Sequence, residues 1–366
     1  MVTVMVYSRG FQREGALGAW TSLSLTLVRN SVSTCELTVP AGHPQAVKLL
    51  VKGARVVVTD SDTGAQLFAG TVRGMGGEGP QDEQVTFTAV SDHRVLTRLL
   101  VWPDAALPLT QQPEYRRFRS VPLETVLKTV TAENASRLGI PITGAPSLDR
   151  GGDVTVNFRF HPVLDQLQAH LDASPLSIEL TQAEGGVRLD VVEATELRKE
   201  LSVQSGTLVS YSWDAELFDA TRAIVGGQGD GAARELRLAT QLTREEALGW
   251  AEEVFVDARD AENADDLEAR GYETLAEAHD RAGLSLTLTQ APNFRYGVHY
   301  RLGDRVTVQT AAGPITDVIR EVRITVNADS GQQITPIVGE RTGDPDGALV
   351  RYVKRFAGRV SNLEKR

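Results

Sequence analysis

Apolar residues at alternate positions dominate this chain. In Leu23-Ser24-Leu25-Thr26-Leu27 three leucines fall on one face of a strand and two hydroxyls on the other, the pattern of a half-buried antiparallel strand. The same five letters recur at residues 284–288, and in both places a strand opening Gly-x-Arg-Val follows: Gly53-Ala54-Arg55-Val56, then Gly303-Asp304-Arg305-Val306. Each glycine marks a turn into the next strand, and the arginine beside it is expected at the rim. Two matches in the same order predict a duplicated β unit, with residues 23–27 superposing on 284–288 and residues 53–58 on 303–308.

Strand-like runs at 23–28, 34–39, 54–59, 66–72 and 85–90 predict a small β-barrel or sandwich over residues 1–102, taken as the first barrel, followed by a short helix carrying Val95, Leu96, Leu99 and Leu100 before Trp102-Pro103. The period then changes. Leu123, Val126, Leu127 and Val130 lie at i, i+3, i+4, i+7 behind Ser120 as N-cap, with Gly139 as the stop. Val154, Val156, Phe158 and Phe160 alternate as a strand, Val163, Leu164, Leu167 and Leu171 form a second helical stripe, and 176–180 with 187–192 read as a hairpin. This predicts an inserted α/β domain at 103–202. Strands return at 208–213, 220–225, 235–240, 253–258, 284–289, 304–309 and 318–326, so 203–340 is expected to form a second barrel, interrupted by one helix at 264–282 that Gly271 weakens. The fold class is therefore mainly β with an α+β insertion: two related small β-barrels, an inserted α/β domain and a C-terminal helix.

That last helix follows a polar linker, residues 341–347. Leu349, Val353, Phe356, Val360 and Leu363 are spaced 4-3-4-3, an apolar seam that one helix cannot bury by itself. Residues 348–366 also hold six Lys or Arg against Glu364, a net of +5, which leaves −15 for the rest of a chain whose total is −10. The seam, with Arg351, Lys354, Arg355 and Arg359 facing acidic groups, is the candidate interface, toward symmetry mates or another protein; docking on its own barrel is the alternative.

Composition narrows the possibilities. A length of 366 residues suffices for two or three domains with their own cores. The lone Cys35 sits in an alternating strand and reads as a small packing residue rather than a nucleophile. The N-terminus has no basic leader, and no run approaches the length needed to cross a bilayer, so export by a signal peptide and stable membrane binding are not expected. A net charge of −10 disfavours tight binding of nucleic acid.

Candidate chemistry is sparse. The run Gly226-Gly227-Gln228-Gly229-Asp230-Gly231 suggests a phosphate cradle, but Arg234-Glu235-Leu236-Arg237-Leu238 after it alternates as a strand and no Lys-Ser or Lys-Thr follows, so a flexible hairpin loop is expected. His161, Asp165 and His170 lack the spacing of a metal site. Nucleophile-elbow, zinc-protease and paired-cysteine motifs are missing. Acidic pairs such as Glu245-Glu246, Glu252-Glu253 and Asp265-Asp266 read as solvated faces, and Trp20, Trp102, Trp213 and Trp250 as buried ones. Neither a catalytic residue nor a cofactor nor a metal is expected, and the chain is read as no enzyme.

The runs Ser33-Thr34-Cys35-Glu36-Leu37-Thr38-Val39-Pro40-Ala41-Gly42-His43-Pro44, Gly53-Ala54-Arg55-Val56, Leu67-Phe68-Ala69-Gly70-Thr71-Val72, Ala223-Ile224-Val225-Gly226-Gly227-Gln228-Gly229 and Leu302-Gly303-Asp304-Arg305-Val306 resemble minor tail proteins of long-tailed phages of actinobacteria, tail-tip hub proteins similar to the baseplate hub of contractile tails. The resemblance implies a structural virion protein at the tail tip, made in the host cytoplasm. It implies a homotrimer whose two barrels per chain give six quasi-equivalent units, adapting a threefold hub to a sixfold tube. The implied partners are the distal tail or tail-tube ring, the tape measure protein and other tail-tip or fibre proteins, with DNA only in transit during ejection. The alternatives are a tail-associated cell-wall hydrolase, a receptor-binding tail module, or the hub of a phage-like injection system.

Overall fold

The computed structural model describes residues 2–79, 83–197, 201–216, 218–259, 261, 263–278, 281–288, 294–310, 313–327 and 331–339. The candidate seam at 349–363 and its basic residues lie outside them. The described chain folds as two units, residues 2–211 with 285–338, and residues 212–284 with Gly339.

The first unit opens with β1 (Val2–Tyr7), β2 (Arg13–Leu17), β3 (Ser22–Val28), β4 (Thr34–Pro40), helix α1 (Pro44–Leu49), β5 (Arg55–Asp60), β6 (Gln66–Glu78) and β7 (Gln84–Ser91). Alternation holds where the sequence predicts it: in β3 the residues Leu23, Leu25 and Leu27 are buried and those between them are not. A 3₁₀ turn, Asp92–Val95, stands where the short helix is expected.

The chain then enters an α/β insertion: β8 (Leu100–Val101), β9 (Arg116–Pro122), α2 (Leu123–Leu138), β10 (Ile142–Gly144), β11 (Asp153–Phe158), β12 (His161–Pro162), α3 (Val163–Asp172), β13 (Leu176–Ala183) and β14 (Gly186–Glu193). Its core joins Leu123, Val126, Leu127 and Val130 of α2 to Val163, Leu164, Leu167 and Leu171 of α3 and to Leu176, Ile178, Val187, Leu189 and Val191 of the hairpin. Gly139 ends α2 in the left-handed conformation, φ 62°. Ser120 is not the N-cap; it lies in β9, and Pro122 caps the helix, because residues 116–122 stay extended to pair with β11.

From β15 (Leu208–Glu216) the chain passes into the second unit, with β16 (Arg222–Gly226), β17 (Leu236–Thr240), α4 (Leu242–Leu248), β18 (Glu253–Asp257) and α5 (Ala264–Glu277). It returns through β19 (Arg281–Leu288) to β20 (Arg305–Thr310), β21 (Gly313–Asn327) and β22 (Gly331–Gly339). In the second unit β16 is central, antiparallel to β17 and parallel to β18. One face packs on α5 through Leu275 against Ala220, Ala223 and Ala239, and through Leu267 against Val225. Gly271 has a positive role there. A Cβ on it would stand 2.7 Å from Ala239 Cβ and 3.1 Å from Val225 Cγ2, so glycine lets the helix approach the sheet. Gly271→Ala is thus expected to lower the thermal stability of this unit by about 1–3 kcal/mol through overpacking. A melt showing the usual helix-propensity gain of about 1 kcal/mol would contradict this close seat.

The two expected barrels are not present. The large sheet is 12-stranded and open, in the order β15-β19-β22-β21-β3-β4-β7-β6-β5-β1-β2, with β20 branching from β21. Closure of the first repeat would need β5 to meet β3. Instead β1 occupies the outer edge of β5 and β21 that of β3. Strands 222–257, assigned from sequence to the second barrel, form the separate three-stranded sheet of the second unit.

Within the open sheet a repeat is nonetheless plain. Strands β3-β4-β7-β6-β5 have the same order as β15-β19-β22-β21-β20. The pentapeptide match is not part of it, since 23–27 lie in the first strand of one repeat and 284–288 in the second strand of the other. The Gly-x-Arg-Val match does coincide: Gly53 (φ 86°) precedes β5 and Gly303 (φ 94°) precedes β20, both in a conformation that disfavours a side chain. Both repeats also bulge after the same step, Val72-Arg73-Gly74 against β7 and Ile319-Arg320-Glu321 against β22.

Candidate assembly interface

The residues with the strongest electrostatics stabilise the fold. Arg55, expected at the rim, is buried: its Nη2 lies 2.6 Å from Asp92 Oδ2, its Nε donates to Gln182 Oε1 at 2.8 Å, and its guanidinium lies over Phe11. Its counterpart Arg305 is exposed. Arg29 and Asn30, in the turn between β3 and β4, hold the insertion. Arg29 donates to the carbonyls of Ser174 and Leu176 and to Ser177 Oγ, and Asn30 donates to Leu176 O while accepting from Ile178 N. These groups line a cavity of about 330 Å³ with His93 and Glu179, and Arg29, Asn30 and His93 are engaged there with backbone groups of the insertion.

Glu124 is fully buried on α2 and accepts from Arg150 Nε and Nη2 and from Lys128 Nζ. Hydrogen bonds from Arg150, opposed by burial and reinforced by Lys128, hold its carboxyl down at about 2. A depressed carboxylate contributes stability above its unfolded value near 4.5 and loses it as pH falls toward about 2. Glu124→Gln is therefore expected to cost on the order of 3 kcal/mol at neutral pH. The gap from wild type should close between pH 5 and 2 in urea titrations; a gap independent of pH would show that ionisation of Glu124 is not what stabilises the insertion.

Sequence-predicted chemistry disperses. Gly226 and Gly227 are buried, their carbonyls accepting from Arg234, while 228–231 are exposed. The run leads into a three-residue 3₁₀ turn, Gly231–Ala233, and strand β17, so no α-helix begins directly after it. His161 and Asp165 are exposed. Cys35 is fully buried in β4, which pushes its thiol pKa up. Among the described residues no cluster of His, Cys, Asp and Glu could hold a metal ion. Glu245 is paired with Arg222. Trp250, expected to be buried, is 62% exposed.

What the fold leaves open is backbone. Strand β6 pairs with β5 up to Thr71 and with β7 to its end, so from Gly74 onward, among the described residues, one edge has no strand beside it. Met75 in this stretch is 51% exposed. Strand β15 ends the sheet order at the other side, and its Val209 is 61% exposed. Edge amides and carbonyls of this kind form a template for another strand. Sequence reading missed them because edges carry no residue-type signature.

No curated protein matches the chain at a significant level. Among solved structures, the 43 kDa tail protein of prophage MuSo2 from Shewanella oneidensis is similar over 92% of this chain and 98% of its own, at 11% identity and a TM-score of 0.59. A tail protein from Neisseria meningitidis MC58 is similar over 93% and 96%, at 12% identity and 0.55. Prophage tail protein gp18 from Listeria monocytogenes EGD-e is similar over 96% and 98%, at 13% identity and 0.53. At these identities the likeness is one of fold. The sequence itself matches, over residues 3–340, the family described as Siphovirus ReqiPepy6 Gp37-like protein. The chain belongs to that family.

Proposed function

We propose that the chain is the hub subunit of the tail tip of a long-tailed phage, three copies closing a ring that caps the tail tube. The carrying observation is a seam inside the chain. Beyond its bulge, β21 pairs with β3, from Glu321 opposite Val28 to Asn327 opposite Ser22. This joins the second repeat to the first. The counterpart of β21 is β6, whose matching stretch beyond the bulge is open, and the counterpart of β3 is β15, at the end of the sheet. Pairing β6 of one copy with β15 of the next repeats the internal seam between molecules. Such a head-to-tail contact generates a ring when its rotation closes, and three chains supply six repeats.

Six similar repeats suit a sixfold tube above, and threefold identity suits a tip below. The body also fits passage of DNA, because its charge of −15 repels phosphate rather than binding it. Partners in this reading are the tube ring, the tape measure protein and other tip or fibre proteins. Light scattering tests the reading: a mass three times the 39.6 kDa of the chain is expected, whereas a monomer at high concentration overturns it.

A further inference from the structure

The sheet of the second unit is covered on one face only. On the other, Leu238 and Phe255 flank Ile224 in register, forming an apolar row across all three strands, with Leu236 two residues along β17. Leu236, Leu238 and Phe255 are 53%, 55% and 56% exposed. Leu242 and Trp250, in the segment joining β17 to β18, are exposed as well. The same unit is strongly acidic. Residues 212–284 carry 18 Asp or Glu against 7 Arg, a net of −11, so one fifth of the chain has a larger net negative charge than the whole chain's −10. Glu253 shares the strand face of Phe255, and Glu246 of α4 is exposed.

We propose that this face is the docking site of the chain's own C-terminal segment, residues 348–366, in the same molecule. The segment offers what the face lacks: an apolar seam of Leu349, Val353, Phe356, Val360 and Leu363, with a net charge of +5 against −11. Its tether is short. Gly339, the last described residue, belongs to the second unit. The intervening residues 340–347 are polar, with two glycines and a proline, and reach roughly 27 Å when extended. So short a tether raises the local concentration of the segment to the millimolar range, enough for a weak apolar contact to persist. This proposal does not depend on the ring, since both surfaces lie in one chain.

The test places cysteines at Leu238→Cys and Phe356→Cys in the full chain. Cys35 is fully buried and its thiol stays protonated, so the introduced pair alone reacts. A bismaleimide should give a crosslink within one chain, identified by peptide mapping. No crosslink overturns the proposal, and a crosslink between two differently tagged chains overturns it too, in favour of a second copy as occupant. As an independent readout, Leu238→Asp combined with Phe255→Asp should speed tryptic cleavage at Arg351, Lys354 and Arg355 by roughly tenfold, because docking protects the segment. An unchanged rate overturns the proposal.

Discussion

Met75→Lys is expected to yield a folded protein that does not form the proposed trimer. Met75 is half exposed on the open stretch of β6, so a lysine there can keep its stem beside the in-register Phe87 of β7 while its charge reaches solvent. It does oppose strand addition, since a charge on an edge strand is how sheets block unwanted pairing. Val209→Lys on β15 should have the same effect from the other side of the seam. A head-to-tail contact makes a stronger demand. Each single variant keeps one competent edge, so neither associates with itself, but an equal mixture should form a heterodimer that cannot close. Native mass spectrometry of the two proteins and their mixture checks this. A Met75→Lys trimer would remove β6 from the interface, and a mixture that stays monomeric would exclude head-to-tail pairing.

The second large effect is expected at Arg55. It ties β5 to Asp92 at the start of the insertion and to Gln182 of β13, within 6% exposure at both charged ends. Arg55→Ala leaves a buried carboxylate without its cation, which costs about 3–5 kcal/mol, a large part of the stability of a typical domain. Asp92→Ala should cost a similar amount. Replacing both by apolar residues of similar volume, Arg55→Met with Asp92→Leu, should recover much of the loss, since the desolvation of two charges is also removed. Chemical denaturation of the wild type, Arg55→Met, Asp92→Leu and the double variant closes the cycle. Additive losses would show that the two side chains act separately.

How much of this was legible in the sequence follows from what periodicity encodes. Strands β3, β4 and β7 are legible because one face of each is buried and the other is not, so their letters alternate, whereas β5 is buried on both faces and reads as a short apolar run after its glycine. Strand β2, Arg-Glu-Gly-Ala-Leu, buries only Leu17 and gives no such signal, and β22 carries Pro336 and two glutamines. Leu-Ser-Leu-Thr-Leu serves any half-buried strand, which is why it misled about equivalence, whereas Gly53 and Gly303 answer a backbone requirement specific to one turn. Closure into barrels was inferred without any signal for it. Whether a sheet closes depends on what occupies its edges, and β1 and β21 do so here through backbone groups that every residue has. The candidate interface was invisible for the same reason.

The connection after the first strand differs between the two repeats. In the first it is residues 29–33, locked by Arg29 and Asn30 onto the insertion; in the second it is the whole stretch 217–280. Both connections leave and re-enter adjacent strands, so whatever is spliced there begins and ends at nearly the same point and can fold without disturbing the sheet. Around the proposed ring the bare and the elaborated turn would alternate. Lineages could then exchange the 217–280 cassette, changing what a tip presents to its surroundings in three places at once, while the annulus that meets the tube stays constant.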